Sequence, residues 1–441
     1  MTAKEKRVSI SSDSGSDSSS DEEKENNKPS NDLVVTKYNM AAEIVNTVLK
    51  EVAAKVTVGA TVLDLCSFGD NRLTELTSKT FKKEKNMQKG IAMPTSISID
   101  NCICHFSPLS SDPPVELKEG QMVKIELGAH IDGFIATAAH TVVVGSSEDH
   151  KVKDKQARVL LAAHHALEAA VRMLLPSKEH KNFDVSELIT KICKIYDVSP
   201  VENMISHDIS QFKMSGEKQI ILNPSDEQKG KVEKCTFADY EVYILDVLVS
   251  SGEGKAKNMD TRTTIYKKAD DLVYSLKMKA SREFFSKAVT KFGSMPFTLR
   301  ASEDEKKAKM GIIECEKHGL MQPYQVLYER EGEFVAQFQT TVIIMPTGLL
   351  KITGLPFEAN KIECDVKIED EKILALLKEP LKLKKKKTNQ KEKAENASKP
   401  DESATKPAEK ATKPAEKATK PAEKKAADGK DSAKAKTKKA G

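Results

Sequence analysis

The sequence contains no tryptophan, and aromatic residues make up only 5% of its 441 residues. It has no aromatic motif of the kind that stacks RNA bases on a sheet surface, so base-specific stacking readout of RNA is not expected. No run approaches the roughly 20 apolar residues that a membrane-spanning helix needs, which argues against membrane insertion. The first segment, MTAKEKRVSISSDSGS, lacks the apolar core of a secretory signal peptide.

The seven cysteines include no CxxC pair. An odd number of cysteines without paired spacing is typical of reduced thiols inside cells rather than of a disulfide framework. Cys102, Cys104 and His105 resemble half of a metal clip, but no second pair completes a tetrahedral site. We therefore expect buried thiols and no cofactor, with a structural zinc ion as the alternative.

Charge is concentrated at the two ends of the chain. Residues 1–32 hold 5 basic and 8 acidic side chains and are rich in serine, so we expect a disordered acidic leader. Four serines each precede an acidic residue by three positions, and these are Ser14, Ser18, Ser19 and Ser20. They are candidate sites for an acid-directed kinase, which would add negative charge. The alternative is a plain solubilising segment.

At the other end, residues 381–441 hold 20 lysines and 9 acidic side chains. Residues 404–424 are three copies of ATKPAEK, and a proline in each copy prevents a continuous helix. This pattern predicts a disordered, extended cationic tail. Nucleic acid is the expected partner of such a tail, because phosphate attracts lysine. The alternatives are a nuclear import signal or a contribution to solubility.

Between these ends, residues 33–380 should form one α+β domain. Apolar spacing predicts helices over residues 33–56, 153–175 and 183–196 and strands over residues 89–106 (broken at Pro94), 121–134, 241–254 and 333–348. Residues from about 268 to 320 are highly charged and helical in pattern, which indicates a helical insertion. The mixture of helices and strands is typical of an α+β fold.

One stretch, KIELGAHIDGFIATAAHTVVV at residues 124–144, predicts a hairpin that turns near Asp132 and Gly133. The first strand places a carboxylate, Glu126, within an otherwise apolar run. The second strand offers Thr137 where a partner carboxylate of a metal enzyme would be needed. The hairpin by itself leaves open whether it carries a catalytic site or only the shell of one.

Four motifs occur in the same order and at similar spacings as in type 2 methionine aminopeptidases: KGIAMPTSISIDNCICHFSP, VKIELGAHIDGF, EVYILDVLVSSGEGKAK and AQFQTTVIIMPTG. The segments DLVVTKYNMAAEI and LKLKKKK resemble more closely the proliferation-associated, ErbB-receptor-binding proteins, a non-peptidase branch of that superfamily. The resemblance covers roughly residues 33–390. It implies the pita-bread fold, a pseudo-two-fold curved antiparallel sheet covered by helices.

Active peptidases of the superfamily bind two divalent metal ions with two Asp, one His and two Glu. By resemblance, these five positions and the substrate-positioning His fall on Glu126, Thr137, His207, Asp246, Gln339 and His105. The bridging carboxylates of the family fall on Thr137 and Gln339, which are neutral. Two dipositive ions about 3.5 Å apart repel by on the order of 20 kcal/mol at an effective dielectric near 20. We therefore expect no metal and no catalysis. One alternative is a single weakly bound metal ion on His207, Asp246 and Gln339, and the other is a metal-dependent methionyl aminopeptidase with an altered site.

The resemblance implies a factor that binds RNA and ribosomal or pre-ribosomal particles and regulates ribosome assembly, translation and growth-related transcription. It also implies a location in the cytoplasm and the nucleus, including the nucleolus. Lysines suited to phosphate contact form three clusters: Lys382, Lys384, Lys385, Lys386 and Lys387; Lys82, Lys83 and Lys85; and Lys267 with Lys268. The alternative for each cluster is a solvated surface.

A short segment, KILALLKEPL, resembles the LxxLL-type partner motif of the family at Ile373, Leu376 and Leu377. It suggests transcriptional co-regulators as partners, whereas the family name suggests receptor cytoplasmic regions. Ile373 departs from the first leucine of the motif. The alternative is that these side chains pack a terminal helix onto the body.

Overall fold

The computed structural model describes residues 26–270 and 272–383. Within these ranges, helical periodicity and capping give eight α-helices. They are α1 (Asp32–Ala53), α2 (Val62–Lys79), α3 (Asp154–Met173), α4 (Asn182–Ile195), α5 (Asp226–Lys231), α6 (Lys279–Phe292), α7 (Glu305–Lys317) and α8 (Glu371–Lys378).

The same ranges contain fifteen strands, several of only two or three residues. They are β1 (Lys89–Ile99), β2 (Cys102–Cys104), β3 (Met122–Ile131), β4 (Phe134–Val143), β5 (Ser199–Pro200), β6 (Ile205–Ile209), β7 (Gln219–Ile221), β8 (Val242–Ser250), β9 (Lys257–Asn258), β10 (Ile265–Lys268), β11 (Phe297–Thr298), β12 (Met321–Pro323), β13 (Leu327–Tyr328), β14 (Val335–Met345) and β15 (Gly348–Lys351).

Nine strands form one antiparallel sheet in the order β1-β3-β4-β14-β8-β6-β7, with β15 on β14 and β5 on β8. The two halves of this sheet meet at a single register pair, in which Gln339 of β14 lies opposite Ala139 of β4. Because strands distant in sequence meet at that point, side chains from both halves come together there.

The predicted hairpin forms as β3 and β4. Asp132 and Gly133 have φ angles of 54° and 77°, which is the pair of left-handed residues that a two-residue turn between twisted strands requires. Because side chains alternate along a strand, odd-numbered residues of β3 such as Ile125 and Leu127 enter the apolar core beneath α1 and α2. The even-numbered residues, Glu126 among them, lie on the opposite face.

The other half of the sheet is built in the same way. Leu245 and Val247 of β8 and Phe338 of β14 pack against α3 and α4 in a second core. Asp246, between the two β8 residues, therefore lies on the face that does not meet these helices. The helices cover one face of both halves, and the polar residues collect on the other face.

The insertion predicted near residues 268–320 contains α6 and α7, as expected, but it also contains a small sheet in the order β11-β10-β12. It has its own apolar core, which includes Tyr266, Phe284 and Ile312. Arg300 joins it to the main body through an ion pair of 2.6 Å with Asp70 of α2.

One expectation about local structure was wrong, and one helix was not predicted. Pro94 does not break the first strand: β1 runs from residue 89 to 99 as an edge strand, and register shifts on either side of Met93 accommodate the proline. Helix α2 was not expected at all. Its N-cap, Thr61, accepts a hydrogen bond from the backbone N–H of Asp64, and its buried residues follow helical spacing from Val62 to Thr77.

Candidate functional site

A row of side chains crosses the middle of the large sheet. Strand register places Ser96 opposite Glu126, Glu126 opposite Ala139, Ala139 opposite Gln339, and Gln339 opposite Asp246. Opposed residues on neighbouring strands share one face of a sheet. The fold therefore brings together three of the six predicted site positions by register alone.

Glu126 is 5% exposed and has three close partners. Its Oε2 accepts a hydrogen bond from Ser96 Oγ at 3.3 Å, and its Oε1 accepts one from Gln339 Nε2 at 3.3 Å. His105 Nδ1 lies 3.2 Å from Oε2, although the geometry does not make a hydrogen bond. Burial opposes ionisation of Glu126, but His105 and these donors outweigh it and lower the pKa of the carboxyl.

The pKa of His105 shifts in the opposite direction to that of Glu126. Burial disfavours its protonation, yet Cys104 and Glu126 raise the pKa of His105 well above its usual value. Its ring also meets Tyr324 edge-on at 5.2 Å between centroids. The nearby Glu126 carboxylate thus favours the protonated form of the imidazole that the resemblance assigned to substrate positioning.

The side-chain amide of Gln337 donates hydrogen bonds to Asp246. Gln337 Nε2 donates to Oδ1 at 3.0 Å and to Oδ2 at 3.1 Å, while Ser206 Oγ accepts from the Asp246 backbone N–H at 2.8 Å. Burial and the nearby charge of Glu126 raise the pKa of Asp246 to about 7. Near neutral pH, a substantial fraction of this side chain therefore carries no charge.

His207 and Thr137 complete the set. His207 lies on β6 opposite Ile244, its Nδ1 is 3.2 Å from the backbone oxygen of Asp208, and burial lowers its pKa. Thr137 lies on β4 opposite Gly128. Thr137 Oγ1 and Gln339 Oε1 are buried without a hydrogen-bond partner. The centre of the site therefore contains two unpaired neutral oxygens and few charges.

The fold family implies a pair of divalent metal ions here, and the side chains do not fit them. Within residues 26–270 and 272–383, no group of three or more His, Cys, Asp or Glu side chains is arranged to hold a metal ion. Glu126 and Asp246 instead each accept hydrogen bonds from a glutamine amide. Thr137 and Gln339 supply only neutral oxygens, which divalent ions bind more weakly than carboxylates.

The cysteine pair also lacks a metal-binding arrangement. Cys102 and Cys104 are free, buried thiols on β2, and burial raises the pKa of Cys102 to about 11. Within the part of the chain that the structure describes, they belong to no group of three or more His, Cys, Asp or Glu side chains that could hold a metal ion.

The predicted lysine clusters differ in their exposure to solvent. Lys82, Lys83 and Lys85 are exposed, as a phosphate contact requires. Lys267 corrects the expectation: it is 8% exposed and forms an ion pair of 3.2 Å with Asp270, because its strand β10 lies inside the insertion. Lys268 is half-buried.

The remaining predicted positions lie near or beyond the ends of the described chain. Lys382 is exposed, whereas Lys384, Lys385, Lys386 and Lys387 and the serines at positions 14, 18, 19 and 20 lie outside the described residues. Ile373 is 2% exposed, and Leu376 and Leu377 are half-buried against the core that contains α3. The LxxLL-like segment thus packs helix α8 onto the body.

Two buried polar residues, one at the site and one elsewhere on the sheet, were not predicted from the sequence. Gln337 precedes Gln339 by two positions, so strand alternation places both amides on one face, and that spacing was a usable signal. Lys124 is 1% exposed, donates to the backbone oxygens of Asp100 and Val335 at 2.9 and 3.0 Å, and has its pKa lowered by burial to about 8. A lysine within a strand pattern gave no sign of such burial.

Comparison with known proteins places this chain among relatives of the metallopeptidases. Residues 36–234 match the model of metallopeptidase family M24. The ErbB-3 binding protein 1 of Solanum tuberosum is 43% identical over 80% of this chain and 89% of its own length. The curved DNA-binding protein of Schizosaccharomyces pombe is 40% identical over 81% of this chain and 93% of its own. The solved structure of a thermophilic Arx1 superposes with a TM-score of 0.74 and 32% identity, over 79% of this chain and 99% of that one.

The fold and the site define an aminopeptidase-like protein with the pita-bread fold of M24 proteins. The chain belongs to the proliferation-associated, ErbB-receptor-binding family within that superfamily. No helix within the described ranges is long and apolar enough to cross a membrane.

Proposed function

We propose that this protein is a non-catalytic member of its family, which binds RNA and ribosomal or pre-ribosomal particles. In that role it regulates ribosome assembly, translation and growth-related transcription, in the cytoplasm, the nucleus and the nucleolus. Transcriptional co-regulators and receptor cytoplasmic regions are further proposed partners.

One observation carries the non-catalytic part of the proposal: glutamine amides hold both site carboxylates. Metal-assisted hydrolysis needs an ion that lowers the pKa of a bound water. Here the carboxylate oxygens accept from amide N–H groups, and neutral Thr137 and Gln339 stand where anionic bridges would balance the charge of two metals. The site therefore lacks the negative charge that a metal pair requires, and both of its carboxylates already accept hydrogen bonds.

The binding part rests on charge and on the names of relatives. Residues 381–441 carry 20 lysines against 9 acidic side chains, a composition suited to polyanions. Relatives of 40 and 43% identity are named for DNA binding and for binding of a receptor, ErbB-3. These names support nucleic acid and a receptor as the classes of partner to test.

The direct test is co-sedimentation of the full chain with purified ribosomal particles over a series of salt concentrations. Changing the four lysines at 384–387 to glutamine removes up to four phosphate contacts. We expect the slope of log affinity against log salt to become shallower by about 3. A matched variant changes four repeat lysines, Lys406, Lys410, Lys413 and Lys417, and should lose less because neighbouring glutamates dilute their charge.

Two results would count against the proposal. Full-length protein that does not associate with RNA or with ribosomal particles at low salt would remove the binding role. Turnover of a Met-Ala peptide with cobalt, manganese or zinc, abolished by His207→Ala, would instead favour a methionyl aminopeptidase with altered metal use.

A further inference from the structure

A lysine-rich groove of about 710 Å³ lies on the body, away from the sheet row described above. One wall is a single face of α4, from Phe183 to Lys194, and the other wall is the segment of residues 223–234 that contains α5. Eleven helical positions separate Phe183 from Lys194, so the wall is about 16 Å long. The groove is therefore an elongated channel rather than a round pocket.

The two walls are fixed to each other by one buried residue. Asn182 Nδ2 donates to the backbone oxygens of Gln219 and Glu233 at 2.8 and 2.9 Å, and Asn182 Oδ1 accepts from the backbone N–H of Cys235 at 3.2 Å. Asn182 is 1% exposed. These bonds join the start of α4 to β7 and to the C-terminal end of the opposite wall, so the protein's own contacts hold the two walls together.

Four lysines and one acidic residue, Glu187, account for the charged side chains of the lining. Lys191 and Lys229 are already paired, with Asp370 at 2.5 Å and Asp226 at 3.2 Å. Lys194 and Lys234 are exposed, and neither forms an ion pair with any carboxylate of the described chain. The groove thus offers two uncommitted cations, one on each wall.

An aromatic ring lies at one end of this channel. Phe183 is half-buried and lines the groove together with Pro224. Lysines that meet a phosphate backbone and an aromatic face that accepts a base are the two elements of single-strand recognition. A duplex keeps its bases stacked inside, so it could not place one on a ring recessed in a groove.

We propose that this groove binds single-stranded nucleic acid, with Lys194 and Lys234 on phosphates and a base stacked on Phe183. The site rests on the proposed RNA-binding function and gives it a place on the folded body, separate from the tail. Stacking on a ring tolerates any base, so the groove adds affinity with little sequence preference.

The test uses full-length protein and a fluorescent 12-nucleotide strand, as RNA and as DNA, with anisotropy measured over a salt series. Lys194→Ala with Lys234→Ala should make the slope of log affinity against log salt shallower by about 1.4, because each lost contact to a single strand contributes about 0.7. Phe183→Leu keeps most of the apolar volume and should weaken binding by about fivefold or more without changing the slope.

The matched control is Lys50→Ala with Lys118→Ala, two exposed lysines on other elements. It removes the same total charge and should leave the slope nearly unchanged. Thermal unfolding of each variant shows whether the fold is intact. If the groove variants lose affinity for RNA only, the groove also contacts the 2′-hydroxyl. If they lose affinity for RNA and DNA equally, the groove recognises only the backbone and the bases. Both outcomes support the proposed site.

The proposal is overturned if the groove variants and the control bind the strand equally well while wild type binds it. That result leaves RNA binding by the tail intact. Wild-type protein that binds neither the strand nor ribosomal particles would instead contradict the proposed function itself. Binding of a phosphoserine peptide of residues 9–25 is measured as well. If the groove variants lose affinity for this peptide but not for the strand, the groove is a site for an acidic segment and not for nucleic acid.

Discussion

Gln337 donates hydrogen bonds from one amide nitrogen to both carboxylate oxygens of Asp246, at 3.0 and 3.1 Å. Gln339, on the same strand face, donates to Glu126 at 3.3 Å. Each carboxylate that survives from the metal site is thus satisfied from within the protein. An amide N–H offsets the cost of burying a carboxylate, as a metal ion does, but it activates no water.

Restoring the bridging carboxylates should make the protein depend on metal. Thr137→Asp with Gln339→Glu places two new anions beside Glu126 and Asp246, and like charges in a buried site destabilise the fold. We expect the melting temperature to fall in chelator and to recover with manganese or cobalt, measured by thermal unfolding with and without metal. Thr57→Asp with Gln322→Glu makes the same chemical changes at exposed positions and should show no metal dependence.

The titration of Asp246 predicts a pH-dependent stability. Its pKa is raised by burial and by Glu126 to about 7 in the fold, against 3.8 in the unfolded chain, so the folded state binds the proton more tightly. The contribution of this group to stability therefore falls as pH rises from about 4 to 7, and the full penalty is present above that range.

Asp246→Asn removes this penalty while keeping an acceptor for Gln337. The variant should gain stability over wild type as pH rises, by at most about 4 kcal/mol at pH 8, and the difference should vanish near pH 4. Urea unfolding at several pH values measures it. A stability difference that stays constant from pH 4 to 8 would show that Asp246 does not titrate in this way.

One buried ion pair should contribute strongly to the link between the insertion and the body. Arg300 reaches Asp70 at 2.6 Å, with side chains only 10 and 14% exposed, and burial raises the pKa of Asp70 against the pull of Arg300. Arg300→Ala leaves Asp70 buried without its partner and should lower the free energy of unfolding by about 3–5 kcal/mol.

Arg262→Ala is the control for this effect. Arg262 lies 3.7 Å from Asp112 and is 55% exposed, so its loss should cost less than about 1 kcal/mol. Equal losses for the two variants, measured by denaturant unfolding, would show that the Arg300 contact is no stronger than a surface pair.

The LxxLL-like segment should behave as core. Ile373 lies on the buried side of α8 and is 2% exposed. Ile373→Ala should therefore lower the free energy of unfolding by about 2–4 kcal/mol. Ile313 of α7 is 60% exposed, and Ile313→Ala tests the same change of side chain on a surface, where little loss is expected. If Ile373→Ala leaves stability unchanged but removes a protein partner, the segment is a docking motif after all.

Sequence alone predicted the α+β architecture, the hairpin and its turn, because alternation and an Asp-Gly pair are local signals. The continuity of β1 through Pro94 was not predictable, since it depends on the strand lying at the edge of the sheet. Helix α2 was missed although its N-cap Thr61 and the helical spacing of its buried residues from Val62 to Thr77 were usable signals.

The candidate site could be located from sequence only through the family resemblance. Register then explains why Glu126, Gln339 and Asp246 meet, although more than 90 residues separate each neighbour in sequence. The burial of Lys267 and Lys124 could not be foreseen, because a lysine is placed inside only by tertiary contacts that local patterns do not encode. The groove beside α4 was missed for a related reason, since its two walls come together through tertiary contacts such as those of Asn182.

The most direct test of the central claim is metal content measured by mass spectrometry on wild-type protein after equilibration with manganese, cobalt or zinc, together with a Met-Ala peptide assay on the same samples. We expect substoichiometric metal and no peptide cleavage. Two bound ions per chain, with cleavage that disappears in His207→Ala, would contradict the account.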